Sequence, residues 1–427
     1  MPDRRDRRPS RRRETAVPLS VADLDDIRIT PSDTGLPGRA AGLTVGEFLA
    51  TEPRLDEFWT PLLVLDDAAL RANARAIQSW CDEHGLELMP HGKTTMAPAL
   101  WWLQLDGGAT GLTLATPGQV RTARRFGVAS VMLANALVAP PALAWAAAEL
   151  ADPAFALRVW ADSVATVNAM EAGLAGLDLP RPIDVLVELG APGGRTGART
   201  LDDARRVADR VAASPVLRLA GTAGYEGSLG HDRSSGAAAA VRGYLADLVR
   251  LHETVAGLAG GELLLSAGGS AYLDLVAEAF EAPAARAAGT RRVLRSGASL
   301  VHDNGFYRGI SPIDDRLTPA MRGLARVVSH PEPGLALLDG GKRDFPYDEG
   351  LPVPLALDGA SVTALNDQHT YLRAAPSGAV GPVDIAIGDV VELGLSHPCT
   401  AFDKRRLIPV VERFGSDRVV ALVRTFF

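Results

Sequence analysis

From residue 61 to residue 305 the chain alternates short runs of Val, Leu and Ala with Ala- and Arg-rich stretches of helical period. The runs predict strands at Leu86–Met89, Gly111–Ala115, Val131–Asn135, Ala156–Ala161, Asp184–Leu189, Arg218–Gly224, Leu263–Ala267 and Arg291–Arg295. The intervening stretches predict helices, among them Thr116–Phe126, Pro141–Leu150, Ser163–Ala172, Thr200–Ala213 and Ala237–Leu258. Eight strands, each followed by a helix, fit a (β/α)8 barrel over residues 61–309. A doubly wound open sheet would more often place Gly-x-Gly-x-x-Gly after its first strand, and none stands here.

Past residue 310 the helical period disappears. Short β-rich runs broken by Pro and Gly take over at Gly323–Ser329, Gly334–Leu338, Tyr371–Ala374, Val390–Leu395, Ile408–Val411 and Val419–Thr425. They predict a smaller all-β domain over 310–427. The 17–60 segment lacks the barrel pattern and is expected to pack on that domain. Residues 1–16, with Arg4-Arg5-Asp6-Arg7-Arg8-Pro9-Ser10-Arg11-Arg12-Arg13, read as a disordered basic tail.

Composition narrows the class. A chain of 427 residues with net charge −7 has ample length for two cores, and nucleic acid is not an expected partner of its body. No apolar run reaches membrane-spanning length, and no apolar segment of the secretory kind follows the arginines. Cys81 and Cys399 make no disulfide framework. These features predict a cytoplasmic protein.

Lysine usage changes the picture further. Of 44 basic residues only Lys93, Lys342 and Lys404 are lysine, so surviving lysines are enriched at places where arginine cannot substitute; an exposed lysine spared by drift is the competing reading. Lysine can lose its proton and act as a nucleophile or Schiff-base partner, whereas arginine stays charged. Lys93 follows the first barrel strand, in Pro90-His91-Gly92-Lys93-Thr94-Thr95.

Barrel chemistry gathers at strand C-terminal ends. Those ends carry His91 and Lys93, Thr116, Asn135, Asp162, Arg195, Tyr225 with Glu226, Ser266-Ala267-Gly268-Gly269-Ser270, and Ser296-Gly297. Phosphate sites of barrels commonly use the loops after strands seven and eight, and glycines let backbone N–H groups approach an anion. Gly268-Gly269-Ser270 is therefore a candidate phosphate cradle. An ordinary turn is the competing reading at this point.

The β domain supplies a second signal, Ser396-His397-Pro398-Cys399. Residues two apart on an extended segment project to one side, so His397 and Cys399 could share a metal. Imidazole with thiolate suits Zn2+, and so few ligands would leave positions open for catalysis. A buried thiol beside a satisfied histidine gives the same pattern. His369 is a further polar candidate without an assigned role.

Together these segments resemble the D-serine dehydratase and D-threonine aldolase group, pyridoxal-phosphate enzymes of the alanine-racemase-like fold. The likeness runs through Thr60-Pro61-Leu62-Leu63-Val64-Leu65-Asp66, Gly193-Gly194-Arg195-Thr196-Gly197, Tyr225-Glu226-Gly227 and Arg295-Ser296-Gly297. It continues through Asp339-Gly340-Gly341-Lys342 and Asp367-Gln368-His369 to the His-x-Cys pair. The resemblance implies that Lys93 holds pyridoxal 5'-phosphate covalently and, with His91 beside it, carries the catalysis. It implies that Gly268, Gly269 and Ser270 cradle the phosphate, that Arg195 and Tyr225 lie against the cofactor, and that His397 and Cys399 bind zinc. It also implies a homodimer. In this group a cysteine at the second metal position is similar to the dehydratases, whereas aldolases more typically carry a carboxylate there. The expected reaction is dehydration and deamination of a D-3-hydroxy amino acid, with D-threonine aldolase activity or a non-catalytic cofactor-binding protein as alternatives. Gly92, Thr95-Met96 and the residues after Gly341 depart from the commoner pattern, which could mark a subgroup with another substrate.

Overall fold

The computed structural model describes residues 19, 21–230, 232–259, 261–374 and 385–427. The basic stretch expected to be disordered, residues 1–16, lies outside them. Strand β1 (Leu62–Asp66) leads into a helix at Asp67–Glu83. Eight strands follow: β2 (Glu87–Leu88), β3 (Leu112–Leu114), β4 (Ser130–Leu133), β5 (Ala156–Ala161), β6 (Ile183–Leu189), β7 (Leu217–Gly224), β8 (Leu263–Ala267) and β9 (Thr290–Leu294). They form one parallel sheet in the order β2-β9-β8-β7-β6-β5-β4-β3. Its two ends meet: the Thr110 N–H donates to the Leu88 carbonyl at 2.8 Å, the Thr113 N–H to Pro90 at 2.9 Å, and His91 bridges to Thr113. The sheet is thus closed into the predicted barrel.

Local chemistry starts the helices where the sequence places them. Ser163, Thr200 and Ser234 cap helices Val164–Leu174, Leu201–Ala212 and Ser235–Ala256 by accepting from the N–H three residues on. Pro117 and Pro140 sit in first turns, where a missing N–H costs nothing. Met89, Met132, Trp160, Leu186, Ala220, Leu264 and Val293 pack together as one cluster contributed by seven of the barrel strands and their ends. Such side chains make a barrel interior a solid core and leave the strand C-terminal ends for chemistry. Gly221 admits a close backbone approach, since a Cβ there would lie 1.9 Å from the Leu264 carbonyl oxygen. The ladder between β6 and β7 shifts register beside it.

The second sheet comprises β10 (Met321–Glu332), β11 (Leu335–Leu338), β12 (Val353–Pro354), β13 (Ala360–Leu365), β14 (Thr370–Ala374), β15 (Val390–Gly394), β16 (Leu407–Val411) and β17 (Val419–Arg424), together with β1. β1 pairs antiparallel with β10 and parallel with β16. Residues 61–66, expected with the barrel, therefore belong to the β sheet. All five residues of β1 are buried, so its uninterrupted apolar run carries no alternation to tell one sheet from the other. The sequence reading also missed β13, an edge strand that alternates only weakly.

Ile29, Leu36, Val45, Phe48 and Phe58 pack on Leu62, Val64, Leu407, Val411, Val419 and Leu422, which seats the segment before β1 against the β sheet. The β domain meets the barrel mouth through several ties. The Phe426 N–H donates to the Met96 carbonyl at 2.9 Å, and the Asn304 N–H to Leu395 at 3.0 Å. Among the described residues no helix is long and apolar enough to cross a membrane.

Candidate active site

A cavity of about 650 Å3 opens over the C-terminal ends of the barrel strands. His91, Lys93, Arg195, Tyr225, Gly269, Ser270, His397 and Cys399 all line it. Residues named from segments up to 308 positions apart in the sequence thus converge on one space. Thr116 instead caps helix Pro117–Arg125, and Asp162 accepts a bond from the Thr166 hydroxyl. Lys342, Lys404 and His369 are not among the lining residues.

Lys93 stands on a tight 3-10 turn, Gly92–Thr94, directly after β2. The Trp101 indole N–H donates to the Gly92 carbonyl at 2.9 Å and pins that turn. His91 precedes it with a buried Nδ1 that has no partner. Burial, then the positive charges of Arg295, Lys93 and Arg195, push its imidazole well below the ordinary value, so it is neutral at pH 7.

Across the cavity the Arg195 guanidinium lies 5.0 Å from the centre of the Tyr225 ring, a cation–π contact. Burial and the neighbouring Glu226 push the Tyr225 phenol up to about 12, which keeps its proton in place. The next residue alters the expected phosphate cradle. The Glu226 carboxylate accepts from the N–H groups of both Gly268 and Gly269, each at 2.9 Å. Two of the three cradle residues therefore spend their N–H groups on the protein's own anion.

The third member, Ser270, joins a different cluster. Its hydroxyl lies 2.8 Å from that of Ser296, which lies 2.5 Å from that of Ser299. All three serines are buried between the loops after β8 and β9. Hydroxyls reorient freely, so this cluster can turn its donors toward an anion.

Arg295, fully buried, donates to the Ser266 hydroxyl at 2.6 Å and to the Gly224 carbonyl, and stacks over Trp160. Its Nε and the Trp160 Nε1 are buried without partners, as is the His91 Nδ1. Each such orphan costs about 1–3 kcal/mol unless a ligand or water meets it. Glu188 lines the same floor and accepts from the Thr196 hydroxyl at 2.7 Å. Burial pushes its carboxyl up to about 6. One amine, two guanidiniums, three serine hydroxyls and unpartnered buried donors fit a planar anionic aldehyde such as pyridoxal phosphate.

The opposite wall comes from the β domain. Cys399 sits on the turn Pro398–Thr400, with its Sγ 3.4 Å from the Thr94 hydroxyl. Burial opposes its ionisation, but the hydrogen bond and charge of His397 outweigh it and hold the thiol below its ordinary value. His397 and Cys399 therefore face one another beside Lys93's turn. The His397 backbone is left-handed, at φ 51°. Such strain in a non-glycine residue persists where its surroundings over-determine it. The Asp303 carboxylate accepts from the His397 N–H at 3.0 Å, and Asp348 lies 2.6 Å from the His397 Nδ1. No group of three or more His, Cys, Asp or Glu gathers as a metal cage among the described residues. An imidazole and a thiolate fit zinc in an open site, where water or substrate completes the coordination.

Sequence reasoning gave no role to Glu188, Glu226, Arg295, Asp303 or Asp348. Glu226 and Arg295 lay inside segments already singled out. Asp348 lies in Phe345-Pro346-Tyr347-Asp348, which has no period and no motif. Only tertiary contact brings it to His397.

Residues 320–411 match the family described as "Putative serine dehydratase domain". The chain is 30% identical to a D-threonine aldolase of Arthrobacter sp. over 354 residues, covering 81% of this chain and 86% of the other. It is 25% identical to a D-threo-3-hydroxyaspartate dehydratase of Delftia sp. (strain HT23), covering 80% and 90% respectively. The solved D-threonine aldolase of Filomicrobium marinum superposes with a TM-score of 0.75 at 23% identity, covering 88% of this chain and 97% of that one.

Proposed function

Because the chain belongs to the D-threonine aldolase and D-serine dehydratase-like family of pyridoxal-phosphate lyases, we propose that it dehydrates a D-3-hydroxy amino acid to a 2-oxo acid and ammonia. The observation that carries the choice is Cys399, placed with His397 on the cavity wall beside Lys93's turn.

Pyridoxal phosphate, when bound, supplies an electron sink for negative charge developing at the substrate Cα. Lys93 would hold the cofactor, and its Nζ, when free and neutral, would take the Cα proton. Arg195 offers a fork of donors to the substrate carboxylate or to a ring oxygen. Tyr225 and Arg195 pack as one wall and fix the orientation of what lies against them. The serines at 270, 296 and 299 would hold the phosphate end. His397 and Cys399 would hold Zn2+, which would supply Lewis-acid polarisation of the substrate hydroxyl. Neutral His91 neither adds a charge to this floor nor repels Lys93. The proposed assembly is a homodimer, in keeping with the resemblance.

A second reading is retro-aldol cleavage, favoured by the 30% identity to D-threonine aldolase. D-Threonine separates the two. Dehydration gives 2-oxobutanoate and ammonia, and cleavage gives acetaldehyde and glycine. The expected products are the first pair, lost when the metal is removed with a chelator and restored by zinc. Acetaldehyde and glycine as sole products would overturn the dehydratase reading. Lys93→Ala should lose both turnover and the visible absorbance of bound cofactor.

A further inference from the structure

We propose that Asp348 is a positioning residue for the metal pair: its carboxylate holds the His397 Nδ1–H and so presents the other ring nitrogen, Nε2, to the ion. The inference rests on the metal-binding reading of His397 and Cys399 given above.

Three observations carry it. First, Asp348 Oδ2 lies 2.6 Å from the His397 Nδ1. An ionised carboxylate only accepts, so the proton of a neutral imidazole must sit on Nδ1 and the lone pair on Nε2. Second, Asp348 Oδ1 accepts from the Thr400 hydroxyl at 2.7 Å. Both carboxylate oxygens are thereby engaged by residues that flank Cys399 in the chain, at 397 and 400. Third, the backbone of His397 is fixed independently. Asp303 accepts the His397 N–H with one oxygen, at 3.0 Å, while its other oxygen accepts from the Gly305 and Tyr307 N–H groups at 3.1 and 2.9 Å. Main chain and ring are held by two different carboxylates, from two different segments.

The division of labour has a physical reason. A histidine in a left-handed conformation cannot rely on a regular strand to aim its side chain. With few protein ligands, loss of one ligand's aim removes much of the binding free energy. Carboxylate partners behind ligating histidines typically contribute 10–100-fold in metal affinity. The segment that bears Asp348 lies between β11 and β12, so its register with β15 and the turn after it decides whether the ring is aimed.

The test uses the full chain with its cofactor bound, stripped of metal and titrated with Co2+, whose thiolate and ligand-field absorbance reports coordination. Asp348→Ala should weaken Co2+ binding by 10–100-fold while the cofactor absorbance and the melting temperature change little. Asp348→Asn retains an acceptor for Nδ1–H and should fall between Asp348→Ala and the unsubstituted protein. Thr400→Val, which frees Oδ1, should weaken binding by less than Asp348→Ala. Unchanged Co2+ affinity in Asp348→Ala would overturn the positioning role. A ligand-field band in the parent protein that changes intensity class in Asp348→Asn would also overturn it, because Asp348 would then be a ligand itself. If the parent protein binds no Co2+ at all, the metal-site reading falls and this inference with it, a result separable from the others.

Discussion

At the residue scale, the site depends on what is left out as much as on what is placed. A Cβ on Gly297 would lie 2.7 Å from both the Cβ and the carbonyl oxygen of His91, and 2.9 Å from its N. These are mostly backbone atoms of the segment that presents Lys93, so they cannot step aside as a flexible side chain would. Gly297→Ala should displace that turn and weaken cofactor binding on the order of tenfold, about 1.4 kcal/mol, measured by titrating the apoprotein with pyridoxal phosphate. Gly38→Ala, where nothing lies within 4 Å, is the matching control and should leave binding unaltered. Lysine scarcity belongs to the same scale. With arginine as the default cation, a retained lysine draws attention, and Lys93 does line the cavity. The other two lysines do not line it, so scarcity alone does not single out the proposed cofactor lysine; the strand end on which Lys93 sits supplies the rest.

At the element scale, loops after adjacent barrel strands are tied by charge. Glu226, just past β7, accepts from two N–H groups just past β8. Hydrogen bonds to an ionised acceptor contribute about 1.5–3 kcal/mol each. Glu226→Gln keeps one acceptor oxygen but turns an NH2 toward the second N–H, donor against donor. The expected loss is roughly 2 kcal/mol by the same reckoning, seen as a lowered melting temperature, with weaker cofactor binding because Ser270 follows directly. This tie also marks the limit of sequence reading. Elements with a strong period were legible: all eight barrel strands and the five helices named stand within a few residues of their expected places. β1, β12 and β13 were not: burial on both faces erases alternation in β1, β12 is only two residues long, and the edge strand β13 barely alternates. Within the site, residues at strand ends were legible because barrel geometry fixes where strand ends go. Asp348 and Asp303 act through contacts 49 and 94 residues away, and no local pattern announces them. The Gly268-Gly269 pair shows the converse case: a local pattern suggested an anion from outside, and tertiary contact engages both N–H groups with the Glu226 carboxylate.

At the scale of the whole molecule, the chain opens its β sheet with β1, leaves to build the barrel, and returns to complete the sheet. The two units are therefore threaded through one another, and acid sensitivity of either should be felt by both. The barrel contains a specific acid-sensitive group. His252, on helix Ser235–Ala256, is fully buried with its Nδ1 3.1 Å from the Thr222 hydroxyl and its Nε2 3.1 Å from that of Thr290. Burial lowers its imidazole from 6.5 to about 4, so the fold admits only the neutral ring. An unfolded chain takes up the proton as pH falls through about 6.5, whereas the folded chain resists until about 4. The unfolded state thus binds more protons between those limits. Stability contributed here is complete above the upper limit, declines across the window as pH falls, and levels off below it, with a total of up to roughly 3 kcal/mol. Glu188, raised to about 6, works in the opposite sense, since its protonated form is favoured in the fold and adds stability as pH falls from 6 toward 4.5. The net curve of the parent protein mixes the two. A difference measurement removes that mixture: His252→Gln retains polar contact with Thr222 and Thr290 but cannot take up a proton. Its stability deficit relative to the parent, measured by urea unfolding at pH 7, 6, 5 and 4, should shrink steadily as pH falls. A deficit constant across that range would show that the buried ring does not hold its proton off, whatever the shape of the parent curve.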